Sequence, residues 1–185
     1  MYHRHGTCAK FIFCVECSVV MRKILDPDWE TTEKLYPIIK NLIEKYTEHC
    51  DEHGDEDLTE YRKLENALCE ITGKDISEYN LSEWWEGEGL EVLSFRIAMP
   101  KPNIVSDISK EELLETVNRI KEGCFQENGD DNFQAIFNLY TDDYYRDLLK
   151  LSFKKYDHNY FNRQKGKDGS YFEYTAEEIA ERIWG

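Results

Sequence analysis

The chain has 185 residues, of which 38 are acidic and 23 basic, and its formal charge is -15. This length suits one domain with a core of its own, and the 41% content of hydrophobic residues excludes disorder throughout. No apolar run reaches the roughly 18 residues that a membrane span needs, and so acidic a chain repels nucleic acid and anionic membrane.

The first twenty residues differ in composition from the rest. They are slightly basic and carry three of the six cysteines. Cys14 and Cys17 have the spacing of a zinc pair, but no second pair follows, so no metal is predicted there. We expect residues 1–20 to be an N-terminal extension and residues 21–185 to form a single α+β domain.

The remaining cysteines are isolated positions in or beside predicted helices. They are Cys50, Cys69 and Cys124. Isolated thiols of this kind are typical of a reduced compartment rather than of a disulfide framework. We therefore expect a cytoplasmic protein.

The next segment predicts an acidic helical hairpin. Apolar residues recur at three- and four-residue intervals from Asp28 to about Gly54, and again over 58–72 with Gly73 after them. The short loop between the two helices predicts that they lie antiparallel. Its acids form a candidate recognition tip: Asp51, Glu52, Asp55, Glu56 and Asp57.

Most of the negative charge lies in this half of the chain. Residues 21–92 contain 20 acidic and 8 basic side chains, whereas residues 141–185 contain 9 and 8. A field concentrated in this way attracts cations and basic proteins.

A short helix with adjacent tryptophans is predicted after the hairpin. Neighbouring residues on a helix point in different directions, so we expect one of Trp84 and Trp85 to be buried and the other to lie at the surface. With Glu86 and Glu88 beside them, the tryptophans are candidate anchors for a protein partner. The alternative, which the sequence favours, is that both rings cover the helical hairpin.

The pattern beyond Gly89 predicts a small sheet. Residues 90–99 and 133–140 alternate apolar and polar side chains, which predicts two strands. Capping boxes at Ser109–Glu112 and Thr175–Glu178 predict helices from Ser109 to Glu122 and from Thr175 onward, and the second of these is expected to turn Trp184 toward the core. A further helix is predicted from Asp142 to about Lys155, and a β-hairpin over 160–174. The predicted fold is α+β: an N-terminal acidic helical hairpin packed with a small mixed or antiparallel sheet covered by helices.

One short motif suggests metal chemistry. His49, Glu52 and His53 fit the His-x-x-Glu-His pattern of inverted zinc peptidases, in which two histidines on one helix face bind zinc and the glutamate activates water. A small metal-dependent hydrolase is therefore the alternative function. The match covers five residues at a predicted helix end.

No catalytic residue, metal or cofactor is predicted otherwise, because nucleophile elbows and phosphate loops are missing from the sequence. In size, acidity and lack of motifs the chain resembles bacterial toxin-immunity proteins and phage-encoded inhibitors that imitate nucleic acid. The sequence thus favours a non-enzymatic inhibitor that occupies a basic site on a toxin, a nuclease or a nucleic-acid-binding enzyme. No direct contact with nucleic acid or membrane is expected, and the oligomeric state is left open.

Overall fold

Helices dominate the computed structural model, which describes residues 21–122 and 133–185. They are α1 (Trp29–His53), α2 (Thr59–Thr72), α3 (Trp84–Gly87), α4 (Leu90–Ala98), α5 (Lys110–Glu122), α6 (Phe133–Phe137), α7 (Asp142–Ser152) and α8 (Ala176–Trp184). Short 3-10 helices span Lys23–Leu25, Asn138–Tyr140 and His158–Phe161. Strands β1 (Gln164–Lys165) and β2 (Tyr171–Phe172) pair antiparallel, so the described fold is α+β only in a broad sense.

The acidic helical hairpin is confirmed. The carboxylate of Asp28 caps α1 by accepting the N–H of Thr31 at 3.0 Å. The α1 helix ends at Gly54, and Gly73 closes α2 in the left-handed conformation that glycine adopts most readily. The two helices pack against each other.

The predicted strand at 90–99 is wrong, because this segment is α4. Leu90, Leu93 and Ile97 are spaced three and four residues apart and face one side, while Phe95 and Met99 face another. A helix buried on two sides has few polar positions, so its sequence also fits the alternation of a strand. The apolar residues of this segment do have helical spacing, but the second apolar face makes that spacing hard to recognise in the sequence.

Two hydrophobic clusters meet at this helix. One lies under the α1–α2 hairpin and takes Leu93 and Ile97 from α4. The other lies among α5, α7 and α8 and takes Phe95, which stacks on Phe137 with ring centroids 4.5 Å apart. Helix α1 makes its most extensive contact with α4, so the shared helix joins the two clusters.

The second predicted strand is wrong as well. Residues 133–140 form α6 and a 3-10 turn, and Phe133 and Phe137 lie one helical turn apart. Both rings pack against Tyr36 of α1. The only sheet in the described ranges is thus the predicted hairpin, whose strands are solvent-exposed and not covered by helices.

Both predicted capping boxes are confirmed. Ser109 and Glu112 exchange backbone-to-side-chain hydrogen bonds at the start of α5, and Thr175 and Glu178 do so at the start of α8. Helix α7 ends at Ser152, three residues earlier than expected. The prediction that Trp184 faces the core is wrong, since its side chain is largely exposed beside Phe153.

Several predictions lie outside the described residues. They concern the first twenty residues and Cys124. Within 21–122 and 133–185, no helix combines the length and apolar character of a membrane span.

Ser94 of α4 gives a stability prediction. Its hydroxyl is buried and has no hydrogen-bond partner in the described part of the chain. Ser94→Ala is expected to raise the free energy of unfolding by about 1 kcal/mol, because it removes an unpaired buried hydroxyl and favours the helix. Thr116→Val is the control, since Thr116 is also buried but donates its hydroxyl hydrogen bond to the carbonyl of Glu112 at 2.8 Å.

Chemical denaturation of both variants measures the effect. Thr116→Val is expected to be less stable than wild type by about 1 kcal/mol. If Ser94→Ala instead lowers the free energy of unfolding as much as Thr116→Val does, the Ser94 hydroxyl does not destabilise the fold.

Candidate partner-binding surface

The acidic tip comprises Asp51, Glu52, Asp55, Glu56 and Asp57, at the turn of the α1–α2 hairpin. All except Asp55 are exposed. The ion pairs of the hairpin engage acids farther along the helices, such as Glu30, Glu44 and Glu60. Among the described residues, no Lys or Arg nitrogen lies within ion-pair distance of a tip carboxylate, and the single ion-pair contact is that of Glu52 with His53 at 3.8 Å.

Asp55 has a structural role. Its two carboxylate oxygens accept the backbone N–H groups of Glu60 and Tyr61 at 3.1 and 2.8 Å. Desolvation acts to raise the pKa of Asp55, but these hydrogen bonds outweigh it and lower the pKa below the ordinary value. Asp55 therefore caps α2, and Asp57 contributes a further bond to the N–H of Thr59.

The remaining acids of the tip are not explained by folding. Asp51 and Glu52 lie in the last turn of α1, and Glu56 lies in the loop. The helix dipole is negative at this end, so carboxylates there are unfavourable for the helix. The described contacts therefore give these acids no part in holding the fold together.

The adjacent tryptophans divide as predicted. Trp84 is half-buried against α1 and α2, and its indole N–H donates to the hydroxyl of Thr47 at 3.1 Å. Trp85 is 57% exposed and its ring stands edge-on to that of Trp84. A half-buried indole thus supports an exposed one.

The short helix α3, which carries the tryptophans, is bound to α1 near the acidic tip. Trp84 is anchored at Thr47, and Asp51 is four residues farther along α1, which is one helical turn or about 6 Å of rise. Glu86 is exposed beside Trp85. We call Asp51, Glu52, Glu56, Asp57, Trp85 and Glu86 the acidic-indole surface.

Glu88 faces another part of the molecule. Its carboxylate accepts a hydrogen bond from Arg96 of α4 at 2.8 Å, and Arg96 also binds Asp143 of α7 at 2.8 Å. Arg96 therefore links Glu88 and Asp143 of α7 to α4, and Glu88 is not placed on the acidic-indole surface. Sequence reasoning missed this pair because Arg96 was assigned to a strand.

The histidine motif does not assemble a metal centre from the described residues. The rings of His49 and His53 stack with centroids 4.9 Å apart on the last turns of α1. No group of three or more metal-ligating side chains converges in the described ranges. The cysteine pair Cys14 and Cys17 lies outside them, and Cys50 and Cys69 are free thiols.

Comparison with known proteins adds no assignment. No family model matches the chain, and neither the curated proteins nor the solved structures contain a significant match.

The two tryptophans should differ in their contribution to stability. Trp84→Ala is expected to lower the free energy of unfolding by about 2 to 3 kcal/mol, because it removes a half-buried ring. Trp85→Ala is expected to cost about 1 kcal/mol or less, because that ring packs mainly on Trp84. Denaturant titration of both variants measures the difference, and equal losses would contradict the assignment of Trp85 as a surface anchor.

Proposed function

We propose that this protein is a non-enzymatic, cytoplasmic inhibitor that binds a basic site on a partner protein through the acidic-indole surface. The observation that carries the proposal is the set of unpaired carboxylates at the negative end of α1, together with the exposed indole of Trp85, whose neighbour Trp84 is hydrogen-bonded to Thr47 near that end. Neither feature serves the packing of the fold. Both are suited to recognition by a cationic surface.

Unpaired carboxylates favour rapid binding to a basic partner. Acids already bound to Lys or Arg within the chain present little net field, whereas Asp51, Glu56 and Asp57 make no such pair among the described residues. Charge complementarity of this kind mainly increases the association rate.

Trp85 would supply much of the affinity. Large aromatic residues dominate the energetics of interfaces, particularly where the ring is held in place before binding. The edge-on contact with Trp84, itself fixed to Thr47, holds the ring of Trp85 in this way.

The proposed partner is a basic protein whose function the acidic surface would block. A toxin, a nuclease or another nucleic-acid-binding enzyme has a site of this kind, because each binds polyanions or is itself cationic. In this respect the protein would act as toxin-immunity proteins and nucleic-acid-mimicking inhibitors do. The proposal includes no cofactor and no direct nucleic-acid contact.

Charge reversal tests the surface. The variant Asp51→Lys, Glu52→Lys, Glu56→Lys alters exposed acids that make no backbone cap. The matched control, Glu70→Lys, Glu122→Lys, Glu173→Lys, makes the same change in net charge at exposed acids elsewhere. Two of these control lysines fall in the last turns of α2 and α5, where a cation is compatible with the helix.

Each protein is first used to capture partners from a cell lysate, and the captured protein is then purified. Its association rate with the tip variant is expected to fall by about tenfold or more at an ionic strength of about 0.01 M, and the difference is expected to shrink at about 1 M. The control variant should bind as wild type does. An equal loss of association rate in the tip variant and the control variant would overturn the proposal. So would capture of acidic proteins whose association rate does not change with the tip variant.

A further inference from the structure

A cleft of about 780 Å³ opens beside the C-terminal end of α4. One wall is the segment after α2, with Lys74 and Tyr79. The other wall is α7, with Arg146 and Lys150. The C-terminal end of α4 and the segment 99–102 lie between them.

Lys74 is held at the end of α4 by two hydrogen bonds. Its amine donates to the carbonyls of Arg96 and Ile97 at 3.0 and 2.9 Å. The carbonyl of Arg96 needs such a donor, because the residue four positions later is Pro100, which has no N–H. The amine therefore replaces a missing backbone donor.

These two bonds leave the lone pair of a neutral amine free. A neutral lysine amine has two N–H groups and one lone pair in a tetrahedral arrangement. When both N–H groups bind the carbonyls of α4, the lone pair lies on the side away from them. Since Lys74 lines the cleft, its nitrogen is available to a bound molecule.

The surroundings favour the neutral amine. Burial is the main cause that lowers the pKa of Lys74, to about 8, and the charge of Lys101 contributes, although Glu78 opposes it. No carboxylate lies within ion-pair distance of Lys74 in the described ranges. Glu78 binds Lys101 at 3.2 Å instead.

The other charged side chains of the cleft determine which class of ligand it can bind, and most of its acids are already paired. Among the acids, Glu88 and Asp143 are bound to Arg96, and Asp157 lies 3.8 Å from His158. Asp147 is the remaining acid on the α7 wall.

Arg146 and Lys150 are one turn apart on α7. Arg146 approaches Asp142 at 3.5 Å, while Lys150 makes no ion pair with a described residue. A cation of this kind suits a carboxylate on the ligand.

We propose that Lys74 forms an imine with a small 2-oxo acid or an aldehyde carrying a carboxylate, bound in this cleft. The neutral amine attacks the carbonyl carbon, the C–N bond forms, the C=O π pair moves to oxygen, and one proton passes from the nitrogen to that oxygen to give a carbinolamine. The hydroxyl then leaves as water with a proton from solvent, and the nitrogen releases its remaining proton to solvent to complete the imine. No oxidant or reductant enters this step. The inference does not depend on the proposed partner binding.

Reductive trapping with glyoxylate tests the inference. The full chain is incubated with glyoxylate and sodium cyanoborohydride at pH 7.5, and carboxymethylated lysines are mapped by peptide mass spectrometry. Lys74 is expected to react about tenfold faster than exposed lysines such as Lys63, because a larger fraction of its amine is neutral. Lys74→Arg keeps the hydrogen bonds to α4 but should remove the fast, saturable reaction.

Two further variants separate an activated amine from a merely accessible one. Lys101→Gln removes a cation that lowers the pKa of Lys74, so the fast reaction should slow at pH 7.5 and recover near pH 9. Lys150→Gln should raise the half-saturating concentration of glyoxylate but leave the reaction with propionaldehyde, which has no carboxylate, unchanged.

A rate at Lys74 equal to that of the exposed lysines would overturn the inference. Equal rates with glyoxylate and propionaldehyde, unaffected by Lys150→Gln, would overturn the assignment of a carboxylate ligand.

Discussion

The burial of α4 on two sides is the packing constraint on which the described fold depends. Leu93 and Ile97 pack beneath the α1–α2 hairpin, while Phe95 stacks on Phe137 in the cluster that α5, α7 and α8 form. A helix of nine residues has little stability of its own, so these tertiary contacts hold it in place. Because α4 takes part in both clusters, its position relative to α1 determines where the surfaces on either side of it lie.

The two ends of α4 therefore set the two candidate sites. Its N-terminal end closely follows α3, in which Trp84 is hydrogen-bonded to Thr47 of α1 and Trp85 is exposed. Its C-terminal end supplies the carbonyls of Arg96 and Ile97 that hold Lys74 at the edge of the cleft. One site presents fixed negative charge and an exposed ring, and the other presents an amine without a carboxylate partner among the described residues. These chemistries suit different ligands.

Local signals in the sequence were sufficient where a segment has one buried face. Four helix ends were predicted from the sequence, at Asp28, Gly73, Ser109 and Thr175. The adjacent tryptophans differ in exposure, as neighbouring residues on a helix should. The same reasoning failed for α4, where two buried faces concealed the three- and four-residue spacing. It also could not find Lys74 or the contact of Glu88 with Arg96, because these depend on distant segments meeting in space. Asp55 was assigned to recognition, but its carboxylate caps α2, a role that the composition of the loop does not reveal.

The most direct test of a recognition role for the tip is the stability of Asp51→Lys, Glu52→Lys. If these acids are retained for binding, lysines at the negative end of α1 should raise the thermal unfolding midpoint at low ionic strength, and the gain should vanish at about 1 M salt. The same variant should bind a basic partner less well. A lower midpoint would show that the carboxylates stabilise the fold, and it would contradict the claim that they are there to be recognised.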